Sequence, residues 1–414
     1  MQFTLCAPTL FGLEGIVADE LRFEGKLDNV TAENGRVLFT GDAPVLAWAN
    51  LNLRCAERVL VRVADFSATS FDQLFEGVRA VPWEQFLAPD TAFPVRGHAL
   101  DSALHSIPDC QKIIKKAIVS RLSAQYHQTW FEEDSPKVQV QFSIMHDRAE
   151  IFLDSTGAGL HKRGYRANAN AAPLRETLAA AMVKLARWRG REPLYDPFCG
   201  SGTIAIEAAM IAQRRAPGLL RSFDAEQWPF LPSDVWRTAR EEALARVDPA
   251  AGCPVFASDL DPACAALARE NARKAGVGTA VTVTQADALT LGFSSLTGTL
   301  LANPPYGERL LDVESARALY QQLGAAAGRS ALKQYILTSD PEFERCFGFA
   351  ADKKRKLYNG MLRCDLYMYF KPAASRRPFA APPARPAAKS KGFVNSPEKN
   401  EKPRKQPKQP GIKR

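Results

Sequence analysis

A short segment, LLANPPYGERL, ends an apolar run with Asn303, Pro304, Pro305 and Tyr306. The side-chain oxygen of Asn303 and the carbonyl oxygen of Pro304 both accept hydrogen bonds, so together they can hold the two hydrogens of an exocyclic amino group. Such double acceptance draws the nitrogen lone pair out of conjugation and aims it at an electrophilic methyl group held close by. The prolines stiffen the loop without adding competing donors, and Tyr306 can stack on a planar base.

A second segment with chemical potential is the glycine-containing turn DPFCGSGT, residues 196–203, which follows a predicted strand. Ligands of parallel sheets bind at the carboxyl ends of the strands, and Gly200 and Gly202 would admit a ligand to the backbone there. The turn is not a Walker loop, because no Gly-Lys-Ser/Thr follows. It is not the dinucleotide fingerprint either, because Ile206 stands where the third glycine would be.

Acids end the next two predicted strands. Asp259 in SDLDP is placed to accept hydrogen bonds from a ribose diol, with Asp261 as the alternative, and Asp287 in QADAL is placed to accept from an adenine amino group. Each acid could instead cap a helix, and Asp261 before Pro262 fits that role well. Because three successive strands end in acids or a glycine turn, we predict an adenosine pocket along this edge.

The elements that would position these residues alternate as strands and helices after residue 174, which is typical of a parallel α/β sheet. An alanine-rich helix is predicted over 174–189. Asn359-Gly360 predicts a hairpin, so the sheet should close with an antiparallel pair. Strands are predicted over 193–198, 254–259, 280–287, 299–303 and 334–340.

The first half has an α+β pattern, with strand-like runs at its start, over 35–41 and over 57–66. Two further strands are predicted on either side of a turn at 146–148. Between 109 and 127 a helix is predicted, with Ile114, Ile118 and Leu122 on one face. Its other face is basic and is either solvated surface or an RNA contact; its members are Lys112, Lys115 and Lys116.

The net charge of +9 is a property of the C-terminal tail. Residues 372–414 contain twelve Lys or Arg and two acidic residues, which leaves the rest of the chain near neutrality. This proline-rich tail has too few bulky apolar residues to offset its ordering entropy, so we predict that it is disordered. It either solubilises the chain or adds non-specific affinity for phosphate.

Cysteine usage and hydropathy indicate the compartment. The eight cysteines are scattered without a C-x-x-C pair, which argues against a zinc site and against a disulfide framework. The N-terminus lacks the basic region of a signal peptide, and no window of about 20 apolar residues would span a membrane. The five histidines lack metal-ligand spacing. We therefore predict a cytoplasmic protein without a metal or a membrane span.

The motifs DPFCGSGT, SDLDP and NPPYGERL, with HKRGYR and APLRETLAAAM before them, resemble the bacterial THUMP-domain, S-adenosylmethionine-dependent RNA methyltransferases. The resemblance is close to the 23S rRNA guanine-N2 group and covers about residues 3–370. It implies an α/β protein with a ferredoxin-like segment (1–60), a THUMP RNA-binding domain (61–157), a Rossmann-like methyltransferase domain (158–371) and the disordered tail (372–414).

The same resemblance implies roles for the residues above. Asp259 or Asp261 would hold the ribose of S-adenosylmethionine, Asp287 its adenine, and residues 303–306 would form the catalytic loop. The partner would be 23S rRNA or a large-subunit precursor. Because some fused relatives carry a second methyltransferase domain and this chain has one, we expect a single activity. The methionine part of the cofactor would contact the first turn, at Asp196, Phe198, Gly200, Gly202 and Thr203.

Other methyl acceptors can be weighed from residue chemistry. Pyrimidine C5 methylation requires a cysteine nucleophile, which the 303–306 loop lacks, and ribose methylation requires a base such as lysine, where Glu308 and Arg309 are the nearby groups. An amine acceptor remains. The loop does not separate guanine N2 from adenine N6, cytosine N4 or a protein glutamine amide. Adenine-N6 DNA or protein-glutamine methylation, and a non-catalytic RNA-binding ribosome assembly factor, are the alternatives.

Overall fold

The computed structural model of the protein describes residues 1–132, 135–166, 174–306 and 312–379. Residues 1–379 form one compact unit. Two large sheets organise it, one in each half of the chain.

The first sheet is mixed and has the strand order β2-β3-β1-β4-β9-β8-β6, while β5 and β7 pair separately. The helices α1 to α4 belong to the same half. The strands are β1 (Phe3–Pro8), β2 (Val30–Glu33), β3 (Arg36–Gly41), β4 (Leu60–Ser67), β5 (Thr91–Ala92), β6 (Val95–Leu100), β7 (Ser135–Lys137), β8 (Gln139–Met145) and β9 (Arg148–Asp154), and the helices are α1 (Glu14–Asp19, followed by a π-helical turn, Glu20–Glu24), α2 (Ala43–Asn52), α3 (Phe71–Arg79) and α4 (Ile107–Tyr126).

Strand β4 joins the two parts of this half. It pairs antiparallel with β1 on one side and with β9 on the other. The predicted boundary between residues 60 and 61 falls at the first residues of β4. The regions before and after that boundary therefore share one continuous sheet.

Local predictions for this half are confirmed where the pattern was strongest. Helix α4 buries the predicted apolar face completely, through Ile114, Ile118 and Leu122. Strands β8 and β9 form the predicted antiparallel pair, and His146 and Asp147 adopt left-handed φ angles of 50° and 62° in the turn between them. Paired left-handed residues match the twist of a two-residue hairpin.

The second sheet has the order β12-β11-β10-β13-β14-β16-β15. Its first five strands run parallel, and β16 and β15 add antiparallel pairs, as predicted from the Asn359-Gly360 turn. The strands are β10 (Leu194–Asp196), β11 (Val255–Asp259), β12 (Val281–Gln285), β13 (Thr299–Ala302), β14 (Lys333–Thr338), β15 (Lys353–Asn359) and β16 (Leu362–Tyr369), and the helices are α5 (Glu176–Leu185), α6 (Thr203–Ala212), α7 (Val235–Ala245), α8 (Pro262–Lys274), α9 (Val313–Ala327) and α10 (Phe343–Phe347).

The alanine-rich helix is shorter than predicted. The prediction extended to residue 189, but α5 ends at Leu185. Arg187 adopts a left-handed φ of 54°, and the Trp188 amide closes the helix on the carbonyl of Val183 at 3.3 Å. A left-handed residue ends an α-helix whatever the helix propensity of the residues that follow.

The predicted disordered tail begins too early. Residues 372–379 are folded, because the Arg376 guanidinium is buried and donates to the carbonyls of Gly328 (2.6 Å) and Leu332 (2.5 Å). The Phe379 amide also donates to the Gly348 carbonyl at 3.0 Å. A basic residue can thus hold a chain segment by saturating orphaned carbonyls. The rest of the tail, 380–414, lies outside the described residues.

None of the helices in the described part of the chain combines the length and apolarity needed to cross a bilayer.

Candidate functional site

The polar residues predicted to form the site follow four adjacent parallel strands. In the order β12-β11-β10-β13, the strand ends lead to Asp287, Asp259, Asp196 and Asn303. The carboxyl ends of parallel strands lie at one edge of the sheet. The fold therefore brings the predicted pocket residues and the predicted catalytic loop to the same edge.

Asp196 lies deepest of these residues. It ends β10 and is only 1% exposed, and neither carboxylate oxygen has a hydrogen-bond partner among the described residues. Burial raises the pKa of this carboxyl from 3.8 to about 8, opposed by the backbone N–H groups of Phe198 and Ala205 and assisted by the nearby charge of Asp259. A buried carboxyl without a partner is costly unless a ligand cation pairs with it.

The two glycines of the turn have different surroundings. Gly200 has a left-handed φ of 51°, and a Cβ built there would meet no atom within 4 Å. Gly202 has a φ of 82°, but its Cβ would lie 3.0 Å from the Cβ of Ala268 on α8. Gly200 therefore leaves the open side that was predicted for both glycines, whereas Gly202 permits close packing of α6 against α8.

The carboxylate of Asp259 organises the edge of the pocket. One oxygen accepts from the Gly200 amide at 2.9 Å, and the other accepts from the Asp261 amide at 3.0 Å. Asp261 itself is exposed and caps α8, accepting from the Ala263 amide at 2.8 Å. Asp259 thus ties its own strand end to the glycine turn, while Asp261 has the capping role that the sequence left open.

Two further predicted contacts lie at the rim. Asp287 accepts from the Leu289 amide at 2.9 Å and so caps a short 3₁₀ turn, Ala288–Thr290. Phe198 is half-buried and, like Leu289 and Leu291, packs against the apolar cluster that includes Phe293 and Leu300. Both residues stay predicted cofactor contacts, one through a carboxylate and the other through a ring.

Asn303 is the strongest candidate for an acceptor of a substrate amine. Its Oδ1 is buried and lacks a hydrogen-bond partner within the described residues. Tyr320 of α9 holds the loop that carries Asn303. Its Oη donates to the carbonyl of Pro305 at 3.0 Å and also contacts Thr338 Oγ1 at 3.1 Å. That leaves the carbonyl of Pro304 as the second acceptor proposed from the sequence.

Tyr306 is half-buried, and its hydroxyl accepts two hydrogen bonds. Asn359 Nδ2 donates to its hydroxyl at 3.2 Å, and Cys364 Sγ donates at 3.7 Å. Burial raises the pKa of this phenol above its ordinary range, so it stays protonated. The hydroxyl of the half-buried Tyr306 thus contacts the β15–β16 hairpin, and the stacking role of this residue stays a prediction.

Residues of the segment HKRGYR, to which the sequence interpretation gave no role, hold the glycine turn in place. Arg166 Nη2 donates to Oγ1 of the buried Thr203 at 2.5 Å, and Arg166 lies 3.4 Å from Glu176. Arg163 forms a fully buried ion pair with Glu207 of α6 at 3.2 Å. The signal in the sequence was a glutamate within the apolar run TIAIEAAMIA, since a buried acid needs a cationic partner.

The predicted basic face lies on α4, in the other half of the chain. The side chain of Lys112 is 78% exposed. The ammonium groups of Lys115 and Lys116 lie 4.8 Å and 5.9 Å from the ring centres of Phe93 and Phe75. Their contact with RNA stays a prediction.

The donor set of the pocket fits S-adenosylmethionine better than a metal ion. The unpartnered carboxyl of Asp196 suits an ammonium group, the open side of Gly200 admits a ligand to the backbone, and Asp259 has lone pairs left for hydroxyl donors. Across the residues that the structure describes, no cluster of three or more His, Cys, Asp or Glu could hold a metal.

The fold and this edge define a class I methyltransferase domain, the class that uses S-adenosylmethionine. Family models match an RMKL-like methyltransferase domain at 163–368, an RlmL ferredoxin-like domain at 4–60 and a THUMP domain at 68–154. The chain belongs to this RMKL-like methyltransferase family.

Named relatives agree with this membership. The chain is 42% identical over 382 residues to "Putative RNA methyltransferase YpsC" of Bacillus subtilis, covering 91% of this chain and 98% of that protein. It is 36% identical over 385 residues to "Ribosomal RNA large subunit methyltransferase K/L" of Syntrophotalea carbinolica. That match covers 88% of this chain but only 53% of the larger enzyme.

Two solved structures have nearly the same fold. One is a "predicted N6-adenine-specific DNA methylase" from Listeria monocytogenes, with a TM-score of 0.85 and 44% identity, covering 90% of this chain and 97% of that one. The other is "SMU.472, a putative methyltransferase complexed with SAH", with a TM-score of 0.83 and 40% identity, covering 89% and 98%.

Proposed function

We propose that this protein transfers the methyl group of S-adenosylmethionine to an exocyclic amino group of a base in RNA, and that the base is a guanine of 23S rRNA methylated at N2. The observation that carries the proposal is the buried Oδ1 of Asn303, which lacks a hydrogen-bond partner among the described residues, at the same sheet edge as the cofactor pocket. The names of the Bacillus and Syntrophotalea relatives support RNA as the substrate. We propose that the reaction takes place in the cytoplasm, where bacterial ribosomal RNA is assembled into subunits.

The residues of the chain supply position and polarity. When bound, S-adenosylmethionine supplies an electrophilic methyl group. Asn303 Oδ1 and the Pro304 carbonyl accept the two hydrogens of the amine and direct its lone pair. Neither acceptor is basic at neutral pH, so the proton lost by the alkylated amine passes to water. The half-buried ring of Tyr306 borders the loop where the base must enter.

The test is methyl transfer from labelled S-adenosylmethionine to total RNA that lacks its own modifications, followed by nucleoside mass spectrometry. N2-methylguanosine in the large rRNA is the expected product. Another methylated nucleoside in RNA would refute the guanine assignment while retaining the acceptor chemistry. Label in DNA or protein alone would refute RNA as the substrate, and label in none of them would favour a binding factor.

Adenine N6 is the second candidate acceptor, because the Listeria protein, 44% identical to this chain, is described as a "predicted N6-adenine-specific DNA methylase". Guanine N2 and adenine N6 are both planar exocyclic amines, so the same pair of acceptors serves either one. A matched assay with unmodified rRNA and with duplex DNA of equal length separates them. Incorporation as N6-methyladenine in DNA would establish this second candidate.

Variants of Asn303 test the catalytic assignment. Asn303→Ala removes one of the two acceptors, and we expect a loss of at least about 100-fold in kcat, since removal of one preorganised polar group costs 10²–10³ in rate. Binding of RNA and of S-adenosylhomocysteine should persist within about twofold. Asn52→Ala is the control, because it also removes an amide side chain, but one at the end of α2 in the first half of the chain, where it bonds Arg246 and the Trp48 carbonyl. Undiminished transfer by Asn303→Ala would overturn the role of this loop.

A further inference from the structure

We propose that the β15–β16 hairpin is a second RNA contact, which binds the phosphate backbone beside the target base. This inference rests on the proposed RNA substrate. Residues 353–369 carry five basic residues and one acidic residue. Strand β15 stands at the end of the sheet order, and its residues 353–356, KKRK, are all exposed.

Of the four cations in residues 353–356, two lie beside a neighbouring acid or ring, and the other two have no acidic partner within the described part of the chain. Lys354 pairs with Glu344 at 2.6 Å, and the ammonium of Lys356 lies 5.5 Å from the ring centre of Tyr358. Lys353 and Arg355 have no acidic partner among the described residues. Because they are two residues apart on a strand, both point to the same side of it. They therefore form a pair of cations available to an anionic ligand.

The hairpin is in direct contact with the catalytic loop. Asn359, the last residue of β15, donates to the hydroxyl of Tyr306 at 3.2 Å, and Cys364 of β16 donates to the same oxygen. At the hairpin tip, Met361 is fully exposed and Leu362 is 46% exposed. A phosphate held by β15 would therefore belong to the nucleotides that flank the target base. The basic face of α4 lies in the first half of the chain, which carries the other sheet, so its contacts would fall elsewhere on the RNA.

Charged residues on an edge strand have another established use, which is to prevent edge-to-edge pairing with a second copy of the chain. Charge reversal separates the two explanations. Glutamate at 353 and 355 protects the edge as well as lysine and arginine do, but it repels phosphate. Edge protection predicts that the reversed variant is soluble and binds RNA normally, whereas phosphate contact predicts that it binds poorly.

The experiment compares Lys353→Gln/Arg355→Gln and Lys353→Glu/Arg355→Glu with wild type, in the full chain. Arg187→Gln/Arg189→Gln is the matched control, because both arginines are exposed and precede β10, at the amino-terminal ends of the parallel strands, away from the catalytic loop that follows the carboxyl end of β13. Filter binding to an unmodified 23S rRNA fragment, over about 50–200 mM salt, gives the dissociation constant and its salt dependence. Steady-state kinetics give kcat and the KM for RNA, and calorimetry with S-adenosylhomocysteine gives the affinity of the cofactor site.

For the glutamine variant, loss of two phosphate contacts should reduce the slope of log K against log[salt] by about 1.4–1.8. We expect its RNA affinity to fall about tenfold at 100 mM salt. The KM for RNA should rise by the same factor, with kcat and cofactor affinity unchanged within about twofold. The glutamate variant should bind more weakly still, and the control should behave as wild type.

Suppose that the enzyme methylates RNA and that both hairpin variants show the wild-type slope of log K against log[salt] and the wild-type KM. That result would overturn this inference and leave the proposed function standing. The inference would also be overturned if the glutamine variant aggregated while the glutamate variant stayed monomeric and bound RNA normally, because that is the result expected of edge protection. If the wild-type enzyme labels no RNA at all, the proposed function fails first and this inference falls with it. Equal weakening in the Arg187/Arg189 control would show a general charge effect and would also overturn the assignment.

Discussion

Substitution of Asp196 by asparagine should remove a pH dependence that the native pocket imposes on ligand binding. Asp196 is 1% exposed and its carboxyl has no hydrogen-bond partner among the described residues, so it is protonated at neutral pH with a pKa of about 8. Pairing with a ligand ammonium requires the ionised form. Binding at pH 7 should therefore release about one proton from the protein.

The magnitude follows from the pKa. With a carboxyl that ionises at about 8, the fraction competent to pair with a cation is about 1% at pH 6 and about half at pH 8, so affinity for S-adenosylhomocysteine should rise about 50-fold across that interval. The stability of the ligand-free protein should change in the opposite sense. Because the folded pKa lies above the unfolded value of 3.8, the folded state binds the extra proton, and stability falls as pH rises from about 4 through about 8. Over the whole interval from 3.8 to about 8 the loss amounts to about 6 kcal/mol.

Calorimetry of S-adenosylhomocysteine binding at pH 6, 7 and 8, in buffers of different ionisation enthalpy, measures affinity and proton release together. Asp196→Asn should flatten the pH profile, abolish proton release and weaken binding at pH 8. Urea unfolding of the same variant should show a gain in stability above pH 7 and little change at pH 4. Asp248→Asn, which alters a surface carboxylate paired with Arg214, is the control. A native profile that is flat between pH 6 and 8 would refute the reasoning.

The remaining predictions concern the scaffold of the pocket. Gly202→Ala should destabilise the protein by at least about 2 kcal/mol in urea unfolding, because a left-handed residue costs about 1–2 kcal/mol and its Cβ would press on Ala268. Gly200→Ala should cost about 1 kcal/mol but weaken S-adenosylhomocysteine binding; the reverse ranking in stability would contradict the two roles. Arg163→Met should cost about 3–5 kcal/mol by leaving Glu207 buried and unpaired, and adding Glu207→Leu should recover much of that loss in the same assay.

The parts of the fold that local patterns determine were predictable. The apolar face of α4, the hairpin at Asn359-Gly360 and the five parallel strands all follow from periodicity or turn chemistry, and each is present. The grouping of strand-end residues was predictable too, because parallel strands place their carboxyl ends at one edge. Motif spacing therefore predicted which residues would share this edge of the sheet, although it could not predict which of them is buried most deeply.

The features that were missed depend on contacts between segments distant in the chain. Nothing near Arg376 in the sequence indicates that its guanidinium will find the carbonyls of Gly328 and Leu332, so the folded 372–379 segment was assigned to the tail. The hydroxyl of Tyr306 meets Asn359 across 53 residues for the same reason. Composition predicts whether a segment can bury surface, but not which orphaned acceptors a single long side chain will reach.

Two buried arginines, Arg54 and Arg163, connect the two halves of the chain. Arg163 pairs with Glu207 on α6 and also donates to the Arg54 carbonyl of the first half at 2.6 Å. Arg54 in turn donates to the Arg215 carbonyl at 2.7 Å, beyond the end of α6. These contacts tie the helix that follows the cofactor turn to the sheet of the first half. A substrate held by the first half would therefore be positioned relative to the sheet edge that carries Asp196 and Asn303.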